Sequence, residues 1–351
     1  MPDTLILPAI PAVANPELQR ALQHKIDHKT KPLGALGRLE ALALRLGLIQ
    51  QSLSPVITAP QIRVFAADHG LARHGVSAYP GEVTAQMVHN FLRGGAAINV
   101  FARQHGIALK VVDAGVNAHF EPHPALIDGK IRHGSRDALA EPAMSTDECR
   151  RALRFGMALV ADMPGNLLLP GEMGIGNTSA ASLLLARLGD LPLAQCTGRG
   201  TGLDEAGLAR KTQILQRVLA RHADASAPLD ALAALGGLEI AMMAGALIQA
   251  ASQRRILLLD GFIAGVALLV AERLAPGVRQ YAVFAHRSAE PGHRHLLRLL
   301  DAAPLLDLDL RLGEGSGAAL AYPLLQSACA FVNEMASFSE AGVSGDNHAA
   351  P

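Results

Sequence analysis

The chain has 351 residues, half of them hydrophobic but only 3% aromatic, with no Trp, and its 31 basic and 31 acidic side chains cancel. That length holds one large α/β domain or a domain with an appendage, with an aliphatic core. The neutral balance lacks the basic bias of nucleic-acid binders, and Cys149, Cys196 and Cys329 lie far apart without CxxC spacing, which argues against a zinc or disulfide framework and fits a reducing cytoplasm.

Met1-Pro2-Asp3-Thr4 opens neither a basic segment nor a long apolar one, so no signal peptide is expected. Residues 16–50 read as helix with a break at Lys31-Pro32-Leu33-Gly34, and Gln61–Ala67 as a strand ending in Asp68-His69-Gly70. Helix is expected over Glu82–Arg103, interrupted at Gly94-Gly95. An apolar run, Ile107–Val112, ends in Asp113-Ala114-Gly115, and residues 117–145, rich in Pro, His and Gly, read as an irregular excursion. Helix returns over Asp147–Ala161. Asn166–Leu169 is a strand that gives way to Pro170-Gly171-Glu172, followed by helix over Thr178–Leu188. Asp204–His222 and Leu229–Ala251 read as helices. The second is greasy, but Gly236, Gly237, Glu239 and Gly245 interrupt it, so a buried helix is expected rather than a membrane span. Arg255–Leu259 is a strand ending in Asp260-Gly261, with helix to Leu274. Gln280–Ala285 is a strand ending at His286, with helix over Gly292–Leu300. A further apolar run, Pro304–Leu312, reads as a strand that hands over at Gly313-Glu314-Gly315 to a helix reaching Phe331. The small, polar tail from Ser339 is expected to be disordered.

Short strand, glycine turn, helix, repeated: this rhythm predicts an α/β fold with a parallel sheet and helices on both faces. Ligands of such sheets sit outside the carboxyl ends of the strands, where this chain places Asp68-His69, Asp113, Glu172, Asp260, His286 and Glu314. A carboxylate between two glycines at such an end is a candidate general base, because glycine allows close backbone approach and unusual turns.

Gly171-Glu172-Met173-Gly174-Ile175-Gly176-Asn177-Thr178-Ser179 offers backbone N–H groups and a helix N-terminus suited to phosphate, with a tight packing turn as the other reading. It lacks the Lys of a Walker loop. Gly198-Arg199-Gly200-Thr201-Gly202-Leu203-Asp204 resembles it, with Asp204 as N-cap. Lys211, two turns on, is either a phosphate partner or a solvated surface side chain. Gly313, Gly315 and Ala318 also match a relaxed dinucleotide fingerprint with Glu334 downstream. That reading fails because no further βαβ unit follows and Glu314 would repel a pyrophosphate. Asp68-His69 and His286-x-x-x-Glu290-x-x-His293 fit no standard zinc spacing, so no metal is expected and loop histidines bonded to nearby backbone are the better reading. Gly75-Val76-Ser77-Ala78-Tyr79-Pro80 leads into a helix bearing Gln86, Met87 and Asn90, which suits either a pocket for a flat aromatic ligand or an ordinary N-cap and buried helix.

Lys31–Glu40 (KPLGALGRLE), Ala67–Gly70 (ADHG), Gly75–Pro80 (GVSAYP), Gly171–Thr178 (GEMGIGNT), His286–His293 (HRSAEPGH) and Leu312–Gly317 (LGEGSG) together resemble the nicotinate-nucleotide–dimethylbenzimidazole phosphoribosyltransferase family, in family order over nearly the whole chain. The resemblance implies a Rossmann-like three-layer domain over residues 56–320 and a small helical domain built from residues 1–55 and 321–338, with a tail at 339–351. It implies a homodimer acting on small molecules, without metal or other cofactor, nucleic acid or membrane. It implies transfer from nicotinate mononucleotide to 5,6-dimethylbenzimidazole, giving α-ribazole 5′-phosphate and nicotinate in cobalamin assembly. Glu314 then falls on the general base and Glu172 on the rival carboxylate. Gly174, Ile175, Gly176, Asn177, Thr178, Lys211, Ser288, Leu312 and Gly313 fall on nucleotide and substrate positions, and Ser77 and Gln86 on the aromatic base. Ser179, where Thr is commoner, and the Met242-Met243 helix depart from the pattern without touching the proposed base. The rival readings are a non-catalytic nucleotide or corrinoid-precursor binding protein and a hydrolase that uses water. The latter class favours a cluster of acidic metal ligands, and none is seen near the first strand.

Overall fold

A computed structural model describes residues 5–344. The first four residues and the end of the polar tail lie outside the described residues. Two helices open the chain, α1 (Pro16–Asp27) and α2 (Arg38–Gln50), followed by β1 (Gln61–Ala67), a 3-10 turn, α3 (Val83–Leu92) and α4 (Ala97–Gln104). Next come β2 (Ala108–Gly115), β3 (Leu126–Asp128), α5 (Thr146–Ala161), β4 (Leu167–Met173), α6 (Asn177–Gly189), α7 (Leu193–Cys196) and α8 (Glu205–Arg221). The chain continues through α9 (Pro228–Leu235), α10 (Leu238–Ser252), β5 (Ile256–Leu259), α11 (Phe262–Leu274), β6 (Ala282–Phe284), α12 (Pro291–Leu299), α13 (Ser316–Glu334) and α14 (Phe338–Ala341).

The six strands form one parallel sheet in the order β3-β2-β1-β4-β5-β6. This doubly wound order reverses direction between β1 and β4, the place where such sheets open a crevice at their carboxyl ends. β1 is central and wholly buried, pairing Val64 with Val111 on one side and with Gly171 on the other. Its aliphatic side chains join a core made almost entirely of Ala, Val, Leu, Ile and Met, as the scarcity of aromatics requires. Across one face, α5 and α10 touch backbone to backbone. A Cβ on Gly156 would stand 1.9 Å from the Met242 carbonyl oxygen, and one on Gly245 2.0 Å from that of Leu153.

Several expectations are corrected. β4 runs through Pro170-Gly171-Glu172, where the residue types point to a turn. Proline is tolerated there because β5 pairs only with Leu167 and Leu168, leaving that side of β4 open beyond them. The helix expected over Leu229–Ala251 is two, parted at Gly236-Gly237. A Cβ on Gly237 would stand 2.3 Å from His69 Cε1, so only glycine passes. β3 lies in the segment read as irregular, a three-residue edge strand too short to give a period. Pro304–Leu312 forms no strand. It follows β6 through one bridge, Leu306 to His286, and its extension is broken at Asp309, whose φ is +54°. The tail is helical to Ala341, capped by Ser337 and Glu340. Among the described residues no helix is long and apolar enough to cross a membrane.

The two ends of the chain meet. α13 packs on α2 and α4, Lys29 Nζ donates to the Met335 carbonyl, and Thr30 and Phe338 exchange backbone bonds with Ala336 and His28.

Candidate active site

A cavity of about 400 Å³ opens at the carboxyl ends of β4, β5 and β6. Its walls are the loop after β4, the start of α11, the loop after β6, the 311–314 turn, and Val83 and Met87 of α3. Of the residues singled out from sequence, Glu172, Gly174, Ile175, Asn177, Thr178, Ser288, Leu312, Gly313 and Glu314 line it.

Glu314 takes a left-handed backbone, φ +64°, between two glycines that are also left-handed. A non-glycine residue there is uncommon and points to a conformation held by its surroundings. Two contacts hold it. Gly171 of β4 lies so close that a Cβ would stand 2.2 Å from the Glu314 carbonyl oxygen. Asp260, at the end of β5, accepts the N–H groups of Gly315 (3.2 Å) and Ala318 (3.1 Å), capping α13 from a different strand. The Glu314 carboxyl is buried, and its Oε2 has no hydrogen-bond partner in the chain. Burial pushes its pKa up to about 7; the Ile98 N–H works against the rise and the Asp260 charge adds to it.

Glu172 sits across from it, accepting from the Asn177 side-chain amide, with the Glu314 N–H favouring its charged form. Burial and then the Asp260 charge push its pKa up to about 8. A carboxyl at that value keeps its proton at neutral pH and is a donor rather than a base. Its folded value exceeds its unfolded one, so the folded state holds the extra proton between the two values, and the stability linked to it is lost as pH rises toward about 8. Glu172→Gln is therefore expected to raise the melting temperature more at pH 8.5 than at pH 5 relative to wild type. A pH-independent shift in thermal denaturation would count against the buried proton.

Gly174, Ile175 and Gly176 form the turn into α6, whose start has no side-chain cap. Gly176 faces inward instead of lining the cavity, with His69 and Ala72 behind it. Beneath the turn the buried His69 and Glu239 meet at 2.8 Å. Burial pulls the imidazole down, but the Glu239 carboxylate overrides it and holds its pKa raised. The Ile175 N–H goes to Thr84 Oγ1 at 3.0 Å, so this donor is already taken within the chain.

Lys211 is no surface side chain: it is 0% exposed, with Nζ donating to Thr178 Oγ1 and to the Gly198 carbonyl, each at 3.1 Å. Burial pushes its pKa down to about 8, opposed by the Glu290 charge. It reaches the cavity only through Thr178 and the Gly198–Gly202 loop, where a Cβ on Gly200 would stand 2.9 Å from Thr178 Oγ1. Asp204 caps α8 by accepting the Gly207 N–H at 2.7 Å. The Ser288 N–H donates to His293 Nδ1 at 2.9 Å, so that histidine bonds neighbouring backbone.

Two residues stand apart. Ser77 Oγ bonds Thr201 Oγ1 at 2.9 Å in an adjoining polar recess bordered by Asp68 and His133, and Gln86 is exposed on α3 while its neighbour Met87 faces the cavity. The sequence assigned no role to Arg311, Glu290, His286 or Asp260, all of which line the cavity. For His286 and Asp260, which approach to 3.5 Å, the signal was their place at strand ends. For Glu290 the signal was its place in the His286–His293 motif; Arg311 carried none.

A phosphoribosyltransferase family model matches residues 12–343. The chain is 62% identical to the nicotinate-nucleotide–dimethylbenzimidazole phosphoribosyltransferase of Cupriavidus taiwanensis over 96% of this chain and 98% of that one. It is 60% identical to the enzyme of the same name from Variovorax paradoxus, over 96% and 97%. The crystal structure of CobT from Thermus thermophilus superposes with a TM-score of 0.90 at 46% identity, covering 94% of this chain and all of that one.

Proposed function

The chain belongs to the nicotinate-nucleotide–dimethylbenzimidazole phosphoribosyltransferase family, and from that membership we propose that it moves the phosphoribosyl group of nicotinate mononucleotide onto 5,6-dimethylbenzimidazole with inversion at C1′, Glu314 being the general base. The observation that carries this reading is the Glu314 carboxyl itself, which lines the cavity, is unpaired at Oε2 and is buried enough to push its pKa up to about 7.

The leaving group is a pyridinium, which departs as neutral nicotinate nitrogen and needs little acid help. The C1′ transition state takes oxocarbenium character, as in glycoside chemistry. Attack from the opposite face turns β into α. The attacking benzimidazole nitrogen gains positive charge while the other ring nitrogen must lose its proton. A carboxylate within about 3 Å of that N–H orients the ring and takes the proton, and it works best with a pKa near the operating pH. Glu314 at about 7 meets that condition; Glu172 at about 8 keeps its proton and serves as a donor to the nucleotide. On the other side of the cavity, Gly174, Asn177, Thr178 and Ser288, backed by Lys211, form the end that takes the sugar phosphate, as helix N-termini do. Ser77 borders the base side from the recess beside α3, and Gln86 from the α3 surface. A second copy of the chain completes a homodimer.

The test is a product assay with both substrates and no added metal, read by mass and by anomeric NMR coupling. α-Ribazole phosphate and nicotinate, dependent on both substrates, are expected; free ribose phosphate overturns the transfer, and a β product overturns inversion. Because Glu314 acts deprotonated, kcat/KM is expected to rise with pH through about 7. A flat profile across pH 5.5–8.5 refutes the base. Lys211→Met is expected to raise the nucleotide KM at least about tenfold, as loss of a charge-assisted bond does, with the KM for the aromatic base little changed. An unchanged nucleotide KM removes Lys211 from the phosphate end.

A further inference from the structure

Two stretches far apart in sequence meet at one buried hydroxyl. Thr84, in the first turn of α3, is fully buried. Its Oγ1 accepts the Ile175 N–H at 3.0 Å, across 91 positions of sequence. Beside it, at the end of β1, the Asp68 carboxylate accepts the Asn117 N–H at 2.7 Å, and the Thr84 hydroxyl eases the rise that burial imposes on its pKa. A Thr hydroxyl can receive on its lone pairs, and one of them here takes the N–H of the turn.

The elements joined are the two that matter for substrate placement. Ile175 is the middle of the glycine turn into α6, and Val83 and Met87, either side of Thr84 on α3, stand on the cavity wall. The turn has glycine on both sides of Ile175, with Gly176 at φ +96°, so little in its own backbone fixes it. From beneath it is held by the His69 ring, which lies against Gly174 and Gly176 and is anchored on Glu239. On its α3 side a hydrogen bond to Thr84 sets its position.

We propose that Thr84 is a positioning residue that locks the glycine turn to α3, so that the nucleotide and aromatic-base ends of the cavity are set as one unit and filling either strengthens binding at the other. This rests on the reading above, in which the turn faces the nucleotide and α3 the base. Without the Thr84 acceptor the Ile175 N–H is left buried and unpaired, and the turn must move to find a partner.

Thr84→Val keeps the side-chain shape and deletes the acceptor for the Ile175 N–H, whereas Thr84→Ser keeps that acceptor and deletes a methyl group. Both variants and wild type are to be measured by steady-state kinetics with the two substrates varied together and by thermal denaturation, and calorimetric titration of each substrate with and without the other is to be run with Glu314→Gln added to each protein, so that the ternary complex is not consumed. Wild type is expected to bind each substrate more tightly in the presence of the other, a reciprocal effect by necessity. Thr84→Val is expected to lose that enhancement and to raise the KM for the base by about tenfold, the scale of one buried donor left unpaired, with Thr84→Ser restoring both. A Thr84→Val protein with a lowered melting temperature but wild-type KM values and enhancement has lost only stability, and the proposal is overturned. If wild type binds both substrates yet releases no nicotinate, the transferase reading fails while the titrations still decide the role of Thr84.

Discussion

Glu314→Gln is expected to lower turnover by about 10²–10⁴-fold, the usual worth of a positioned proton acceptor, while leaving the affinity for nicotinate mononucleotide largely intact. The amide is nearly isosteric, and the backbone that holds residue 314 is fixed by Gly171 and by the Asp260 cap rather than by the carboxylate. What is lost is the ability to take the benzimidazole proton. The measurement is single-turnover nicotinate release at saturating substrates. A variant that keeps near wild-type turnover where chemistry is rate-limiting removes Glu314 from the role. Loss of all turnover in Glu172→Gln with retention in Glu314→Gln would exchange the two carboxylates.

Gly171→Ala is the second large effect. Its Cβ would stand 2.2 Å from the Glu314 carbonyl oxygen and 2.6 Å from the carbonyl carbon, both backbone atoms that no side-chain rotation can clear. β4 is pinned on its other edge by β1, through Val64 and Phe65, so the Gly313–Gly315 turn has to give way. A displacement of about 1 Å at a reacting group costs about 10²-fold, and overpacking a tight contact costs about 1–3 kcal/mol of stability. The variant is therefore expected to fold with a lowered melting temperature, to bind nucleotide, and to turn over at least about 10²-fold more slowly than wild type. Wild-type kcat in Gly171→Ala would show that the position of Glu314 is not set from β4.

Local signals in the chain were strong where local physics decides. The apolar run Gln61–Ala67 is β1 residue for residue, and Asp204 caps α8 as its side chain and position imply. The glycines flanking Glu314 announce a special backbone, and it is there. What sequence could not give depends on partners distant in the chain. Pro170 argues against a strand until β5 is seen to leave that edge open. Gly236-Gly237 reads as a weak point in one helix until His69 fills the space beside it. Lys211 is ambiguous on composition alone, and only its burial beside Thr178 and Gly198 decides between solvent and a place behind the cavity wall. Asp260 stands at an expected strand end, yet its hold on α13 is a contact across 55 positions that no local pattern encodes. The same is true of Thr84 and Ile175.

The meeting of the chain ends has a consequence for how the molecule is made. α2 precedes every strand of the sheet in the chain, and α13, the helix that covers it, follows every strand. Synthesis runs from the amino end and domains fold in that order, so α2 keeps an uncovered apolar face while the entire sheet is produced. Glu314 arrives two residues ahead of α13, and its backbone takes its final form only when that helix docks. The sheet can thus be complete before the Gly313–Gly315 turn is made, and the step that covers α2 is the same step that sets that turn.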